Sequence, residues 1–338
     1  MISIIIPTYC TPQEQLRRCL TSAASQTLDT LEIVLVDDNS DRSEQKAVRS
    51  VVKSLQKDKS LRHARDIRIV CYGENRGLVA ARRTGVEEAR GEYVTMLDSD
   101  DELAGTDVCE RALAVANSTQ AGYDIVQCCA EPHREGAYIL ESNKDAYKLI
   151  EHPAQGELIA PPDQFAETYI TTKQYCLFLW SKLIKRETLL RALDRIPVMD
   201  CFMAEDTLFS YFLSRESSRY IGIPLLFYIY NLGQGISTSA DTITSLERWR
   251  KLCTPSAVFT AIMYDLKERP LPVGSKLPDH LNHVLDLFVV RNIKLLCRVT
   301  PELRGAAHDI LVESWGEKII AQAEREMKLE IKQESSKM

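Results

Sequence analysis

The chain has 338 residues, 45% of them hydrophobic and 27% charged, which is enough to bury a full core in one large domain or two modest ones. A formal net charge of −6 and a pI near 5.7 argue against a nucleic-acid binder, which needs a basic surplus to replace the counterions around phosphates. Ten scattered cysteines with no CxxC pair argue against a disulfide framework and fit a reduced, cytoplasmic setting in which they act as small apolar residues.

Met1 leads straight into Ile2-Ser3-Ile4-Ile5-Ile6, which reads as a first strand rather than a signal peptide. Leu16, Cys19, Leu20 and Ala23 then fall on one helical face, with Thr11 as N-cap, Pro12 as first-turn proline and Glu14 as capping-box partner. Further short apolar runs begin at Glu32, Ile67, Tyr93 and Asp124, separated by helical segments that include Gly77 to Ala89 and Gly105 to Asn117. This alternation predicts an α/β, doubly wound and mostly parallel sheet flanked by helices, in which continuous apolar strands such as IRIVCY are covered on both faces. The pattern loosens after about Leu140 and resumes with apolar segments at Tyr175 to Ile184 and Tyr220 to Tyr230. Helix dominates from Thr242, Pro270 to Pro278 read as a linker, and the charged tail after Glu324 is expected to fray at its end. No apolar stretch approaches the roughly 20 residues of a spanning helix.

In a doubly wound sheet, ligands bind beyond the carboxyl ends of the strands. Three such ends carry polar groups: Pro7-Thr8-Tyr9, Asp37-Asp38-Asn39-Ser40 and Asp98-Ser99-Asp100-Asp101. Parallel order places all three on one rim. Any one of them alone reads as a turn or a helix cap, but three together point to a site. Three carboxylates within four residues repel one another unless hydrogen-bond donors or a hard cation compensate them. A divalent ion bridging one or two of them to a diphosphate would do so and would act as a Lewis acid on the leaving group.

The stretches SIIIPTYC, SAASQTLDTLEIVLVDDNSDRS, NRGLVAARRTGVEEARGEYVTMLDSDDEL, WSKLIKRETLL and AEDTLFSYFL occur in that order over roughly the first 240 residues. Together they resemble the family-2 inverting glycosyltransferases of the GT-A fold, and the later pieces are similar to a bacterial subgroup that builds capsule, exopolysaccharide or lipopolysaccharide. The resemblance implies a GT-A domain over residues 1–240, with a nucleotide-sugar-binding half (1–130) and an acceptor and catalytic-base half (131–240), followed by a helical extension over 241–338. It implies a nucleoside-diphosphate sugar donor, UDP-linked, a divalent cation (Mn²⁺ or Mg²⁺), and a saccharide or lipid-linked saccharide acceptor. Pro7, Thr8 and Tyr9 then correspond to the loop beside the nucleoside, and Asp38 to the acidic residue at the base. Arg82 matches an arginine near the nucleotide. Asp98, Ser99 and Asp100 form the DxD motif, with Asp100 the firmer metal ligand and Asp98 near ribose or metal.

Inverting transfer needs a base for the acceptor hydroxyl. On the resemblance Asp206 is that base, and Glu205 is a neighbour that binds acceptor or raises its pKa; the residues alone read rather as an N-cap favoured by the helix dipole. Trp180 with Lys182 either lines the acceptor side or is buried. Four departures from the family pattern stand out. Cys10, Arg83 and Ser181 replace common asparagines, and Asn231, in the segment Tyr228-Ile229-Tyr230-Asn231 leading to Gly235-Ile236-Ser237, stands where a basic residue often serves the diphosphate. Arg248-Trp249 reads as part of an ordinary helix, with no QxxRW signature because Ser245 replaces the glutamine.

Leu281 to Arg298 combines an apolar face with Arg291, Lys294 and Arg298, so it either packs on the rest of the protein or rests on an anionic membrane. The expected location is the cytoplasm, or the inner face of the plasma membrane as a peripheral protein, and homo-oligomerisation stays open. Two other functions remain: a non-catalytic nucleotide-sugar-binding or scaffold protein, and a nucleotidyltransferase.

Overall fold

A computed structural model of the chain describes residues 1–133, 144–231 and 242–335. The segment Gly235-Ile236-Ser237 and the expected boundary at residue 240 lie outside the described residues. Two compact units divide the chain: Met1–Ile196 with Phe209–Thr238, and Pro197–Leu208 with Ser239–Met338.

In the first unit the elements run β1 (Ile2–Thr8), α1 (Gln13–Ala24), β2 (Leu31–Asp37), α2 (Arg42–Leu55), β3 (Ile67–Cys71), α3 (Gly77–Glu88), β4 (Tyr93–Met96), β5 (Glu102–Leu103), α4 (Val108–Ala116), β6 (Ile125–His133), α5 (Lys144–Glu151), β7 (Gly156–Ile159), α6 (Pro162–Thr171), β8 (Lys182–Lys185) and α7 (Arg186–Arg195). Helix α8 (Glu205–Glu216) begins in the second unit, and β9 (Arg219–Asn231) belongs to the first. Helices α9 (Leu246–Cys253), α10 (Pro255–Glu268), α11 (Leu277–Leu296), α12 (Arg304–Trp315) and α13 (Glu317–Ser335) complete the second unit.

Among the described residues the nine strands form one sheet, in the order β3-β2-β1-β4-β8-β6-β9-β5, with β7 also on β9. Strands β3, β2, β1 and β4 are parallel, as expected from the intervening helices. Strand β8 runs antiparallel to both β4 and β6, and β6 is parallel to β9. The chain goes from β1 outward to β2 and β3 and then returns to β4 on the other side of β1. That reversal opens a crevice beyond the ends of β1 and β4, the usual ligand position in an open α/β sheet. The buried aliphatic strands β1 and β2, with Leu16, Leu20, Val48, Val52 and Leu55 of α1 and α2, make up much of the core on one face.

Several local readings are corrected. Strand β3 is the sheet edge and only Ile67 is buried, because no strand lies beyond it. Helix α1 starts after Pro12 without a side-chain cap, since the Thr11 hydroxyl is engaged elsewhere. The helix expected from Gly105 begins only at Val108, because residues 102–103 extend to pair with β9. Pro278 belongs to the first turn of α11 rather than to a linker. Helix α13 runs to Ser335, and the end of the charged tail lies outside the described residues.

The second unit has its own apolar core, with Trp249, Phe259, Val289, Leu311 and Trp315 buried. Trp249 donates its indole N–H to Ala307 O at 2.8 Å, within helix α9 as read from the sequence. Leu281 and Val289 of α11 face inward, whereas Arg291 and Lys294 are exposed.

Candidate functional site

The rim is assembled from three loops that hydrogen bond to one another. Asp38 N–H continues the β1–β2 ladder by donating to Thr8 O at 2.9 Å. Thr8 Oγ1 donates to Thr11 Oγ1 at 3.0 Å, and Thr11 Oγ1 shares a hydrogen bond with Ser99 Oγ at 2.7 Å. This hydroxyl relay ties the loop after β1 to the turn after β4 and explains why Thr11 does not cap α1. Cys10 N–H donates to Ser40 Oγ at 3.0 Å, which ties the loop after β1 to the loop after β2. Pro7 is buried within β1, while Tyr9 is exposed on the loop.

Asp38 is 4% exposed, and its two carboxylate oxygens accept the Arg76 and Gly77 N–H groups, each at 2.8 Å. These N–H groups open α3, where a carboxylate is favoured by unpaired donors and the helix dipole. The bond orients α3 so that Arg82, buried inside it, donates Nη2 to Asp98 Oδ1 at 3.0 Å. A solvated helix face for Arg82 is therefore excluded. Gly85, one turn further, lies so close to β1 that a Cβ there would meet Ile5 Cγ2 at 2.2 Å.

The Asp98-Ser99-Asp100-Asp101 turn solves its charge problem unevenly. Asp98 has Arg82. Asp101 is 1% exposed and accepts Tyr228 Oη–H at 2.6 Å and Asn231 N–H at 2.7 Å. Burial, followed by the charges of Asp100 and Asp98, still raises its pKa well above the ordinary carboxylate range. Asp98 N–H donates to Tyr228 Oη at 3.2 Å, and Asn231 Nδ2 donates to Asp100 O at 2.9 Å. The end of β9 thus clamps the turn from behind. Asp100 receives less help: burial first, then the Asp98 charge, pushes its pKa up to about 6. A partly buried carboxylate beside a second one fits a hard divalent cation, with Asp100 and Asp98 as the protein ligands. Among the described residues no group of three or more His, Cys, Asp or Glu side chains is placed to hold a metal. An ion here would take its other ligands from a diphosphate and water.

Trp180 is the buried aromatic of the two readings. It is 4% exposed and stacks on Phe178, Tyr228 and Tyr230 at 4.9, 4.8 and 5.2 Å between ring centroids. Lys182 is buried with its ammonium donating to Phe178 O. Cys10 and Ser181, two of the three replaced asparagines, have φ of 52° and 57°. This left-handed region favours asparagine over most side chains, a backbone reason for that residue at both places.

Thr8, Asp38, Arg82, Asp98, Ser99 and Asp100 thus converge in the first unit. Glu205 and Asp206 lie in the second, in the first turn of α8 after Ala204 at φ 66°, so Asp206 is a first-turn residue and not the N-cap. Sequence reading placed Asp101 in the carboxylate cluster and Tyr228 in the segment near the diphosphate but missed that the two bond, and it took Thr11 only as a helix cap. Asp101 and Tyr228 are 127 residues apart, so no local spacing links them.

Solved structures share this architecture. Staphylococcus aureus TarS 1–349 in complex with UDP-GlcNAc matches with a TM-score of 0.52 at 16% identity, over 96% of this chain and 91% of that one. The mannosyltransferase PcManGT from Pyrobaculum calidifontis, in complex with GDP-Man and Mn²⁺, matches at 0.53 and 18% identity over 98% and 80%. The fold is that of the GT-A glycosyltransferases. Residues 3–198, more than half of the chain, match Glycosyl transferase family 2. EpsH of Bacillus subtilis (strain 168), described as a glycosyltransferase, is 26% identical over 293 residues, which is 86% of this chain and 74% of its own length. The chain belongs to glycosyl transferase family 2, and its general activity is glycosyl transfer.

Proposed function

We propose that the chain transfers a sugar from a nucleoside diphosphate, UDP-linked, to a hydroxyl of a saccharide or lipid-linked saccharide, with inversion, in the synthesis of a bacterial surface polysaccharide. The observation that carries this reading is the Asp98–Asp100 pair at the β1/β4 crevice, with Arg82 fixing Asp98 and Asp100 short of compensation. The UDP-GlcNAc bound by TarS and the GDP-Man and Mn²⁺ bound by PcManGT support a nucleotide-sugar donor and a divalent cation.

In this mechanism the loop Pro7-Thr8-Tyr9 and Asp38 border the nucleoside, and the hydroxyl relay through Thr11 and Ser99 holds that loop against the DxD turn. Asp98 and Asp100 would hold Mn²⁺ or Mg²⁺, which neutralises charge on the departing diphosphate. Asn231 is neutral and occupied with the Asp100 and Asp101 backbone and side chain, so it supplies no positive charge there. Asp206 removes the acceptor proton as the oxygen attacks the anomeric carbon opposite the leaving group, and Glu205 sits beside it in the same helical turn. The division of labour assigns residues 1–240 to catalysis and the later helices to an extension.

Donor hydrolysis and transfer measured over a panel of nucleotide sugars, with Mn²⁺ and after chelation, test this. Asp100→Ala is expected to abolish metal-dependent turnover, and Asp206→Asn to lower kcat by a hundredfold or more while donor binding persists. Full activity of Asp100→Ala in chelator-treated protein would rule out the metal mechanism.

A further inference from the structure

Helix α2 carries a feature that donor chemistry does not use. Its apolar stripe, Val48, Val51, Val52 and Leu55, is buried, so sequence on the opposite face is free of packing demands. That face is basic. Residues 42–57 contain Arg42, Lys46, Arg49, Lys53 and Lys57 against one carboxylate, Glu44, in a chain whose net charge is −6. Lys46, Arg49 and Lys53, with Ser50 and Ser54 beside them, form one exposed strip of α2, and exposed Lys57 continues it in the turn just after the helix. Lys46, Arg49 and Lys53 follow an i, i+3, i+7 spacing, a row ~10 Å long at the helical rise. Arg17 of α1 joins the row by donating to Ser54 Oγ at 3.2 Å.

The row lacks internal compensation. Several other helices pair cations with carboxylates one turn away, as in Arg83–Glu87, Arg111–Asp107, Arg191–Glu187 and Lys251–Glu247. Among the described residues Lys46, Arg49, Lys53 and Lys57 form no ion pair. Arg49 and Lys53 instead repel at i, i+4, which weakens the helix. Four cations within two Debye lengths act as one extended field on any charged plane they meet.

We infer that the outer face of α2 docks the protein on an anionic lipid bilayer. A convex helix face with a line of flexible cations matches a planar array of phosphate headgroups. It carries no aromatic side chain on which nucleic-acid bases would stack, and the rest of the chain is acidic, which disfavours a wrapped polyanion. The choice of a bilayer rests on the reading of a lipid-linked acceptor proposed above. Attachment through a row of cations is electrostatic and therefore salt-sensitive. The sequence offered α11 as an alternative place for such a contact, beside simple packing; the basic row assigns it to α2.

The test is co-sedimentation with vesicles of phosphatidylcholine alone and with about 40% phosphatidylglycerol, at low and at about 0.5 M salt. Three proteins are compared: the wild type, a Lys46→Gln/Arg49→Gln/Lys53→Gln/Lys57→Gln variant, and an Arg291→Gln/Lys294→Gln/Arg298→Gln variant of the α11 region. The wild type is expected to bind only the anionic vesicles and to be released by salt. Loss of each cation weakens partition about fivefold, so the α2 variant loses a hundredfold or more. The α11 variant is expected to bind like the wild type. The inference is overturned if the wild type does not bind, if it prefers duplex DNA to anionic vesicles at equal phosphate, if the α2 variant still binds, or if only the α11 variant is impaired. Because the vesicles contain neither donor nor acceptor, this outcome is independent of glycosyl transfer. Turnover of the α2 variant on a soluble acceptor, expected to match the wild type, reports separately on the proposed reaction and on correct folding.

Discussion

Tyr228→Phe isolates the clamp behind the DxD turn. The hydroxyl it removes is buried, donates to Asp101 Oδ2 at 2.6 Å and accepts Asp98 N–H at 3.2 Å, while the ring remains free to stack on Trp180. Burial and the Asp101 charge push the Tyr228 pKa up, so the hydroxyl is a proton donor throughout the accessible range. A hydrogen bond to a charged group contributes about 1.5–3 kcal/mol, and the Asp98 N–H loses a partner as well. Asp101 keeps Asn231 N–H, which limits the damage. The expected loss is therefore about 2–4 kcal/mol, or a fall in Tm of roughly 3–6 °C for a chain of this size. The Tyr228 bond lowers the Asp101 pKa against the stronger effect of burial, so its removal penalises the charged carboxylate in particular. The deficit should be larger where Asp101 is ionised than where acid has protonated it. Scanning calorimetry of both proteins across a pH series measures this. A deficit under about 0.5 kcal/mol throughout, or one that does not change with pH, would refute the idea that the hydroxyl compensates a buried charge. Tyr228→Leu, which also removes the stacking ring, should cost more at every pH.

Three further predictions concern the same unit. Asp100 has its pKa raised from 3.8 to about 6, so the folded state binds its proton more tightly than the unfolded state. The stability it contributes is complete below about pH 4 and is lost as pH rises through about 6, whereas a cation needs the ionised form. The Mn²⁺-induced rise in Tm with UDP present should therefore be small at about pH 5 and full above about pH 7, and a pH-independent rise would contradict the assignment. Cys10→Asn should stabilise by roughly 0.5–1 kcal/mol in urea titrations, since φ of 52° suits asparagine and the side chain is exposed; an unchanged or lower midpoint would remove the backbone explanation. Gly85→Ala should destabilise by about 1–3 kcal/mol, because its Cβ would lie 2.2 Å from Ile5 Cγ2 and push α3 off β1. Nucleotide-sugar affinity should fall with it, through displacement of Arg82, and calorimetric binding that stays at the wild-type level would separate the two effects.

The sequence by itself determined the parallel half of the sheet. Strands β1, β2 and β4 are continuous aliphatic runs, and the 3.6-residue periodicity of α1 and α2 between them leaves only a parallel arrangement with both faces covered. Parallel order then placed Thr8, Asp38, Asp98 and Asp100 on one rim, because every such strand ends on the same side. What the sequence could not determine were contacts made by residues far apart in the chain. That Thr11 serves Ser99 rather than its own helix, that Asp38 is held by the start of α3, and that Asp101 is anchored by Tyr228 and Asn231 all depend on strand neighbours chosen by the whole sheet. Strand β3 looked like a buried strand for the same reason: its residues are apolar, but only the sheet order makes it an edge. Local pattern reports which face of an element is apolar. Which charge meets which donor across the sheet is a property of the assembled fold, and it is there that the unequal fates of Asp98, Asp100 and Asp101 were decided.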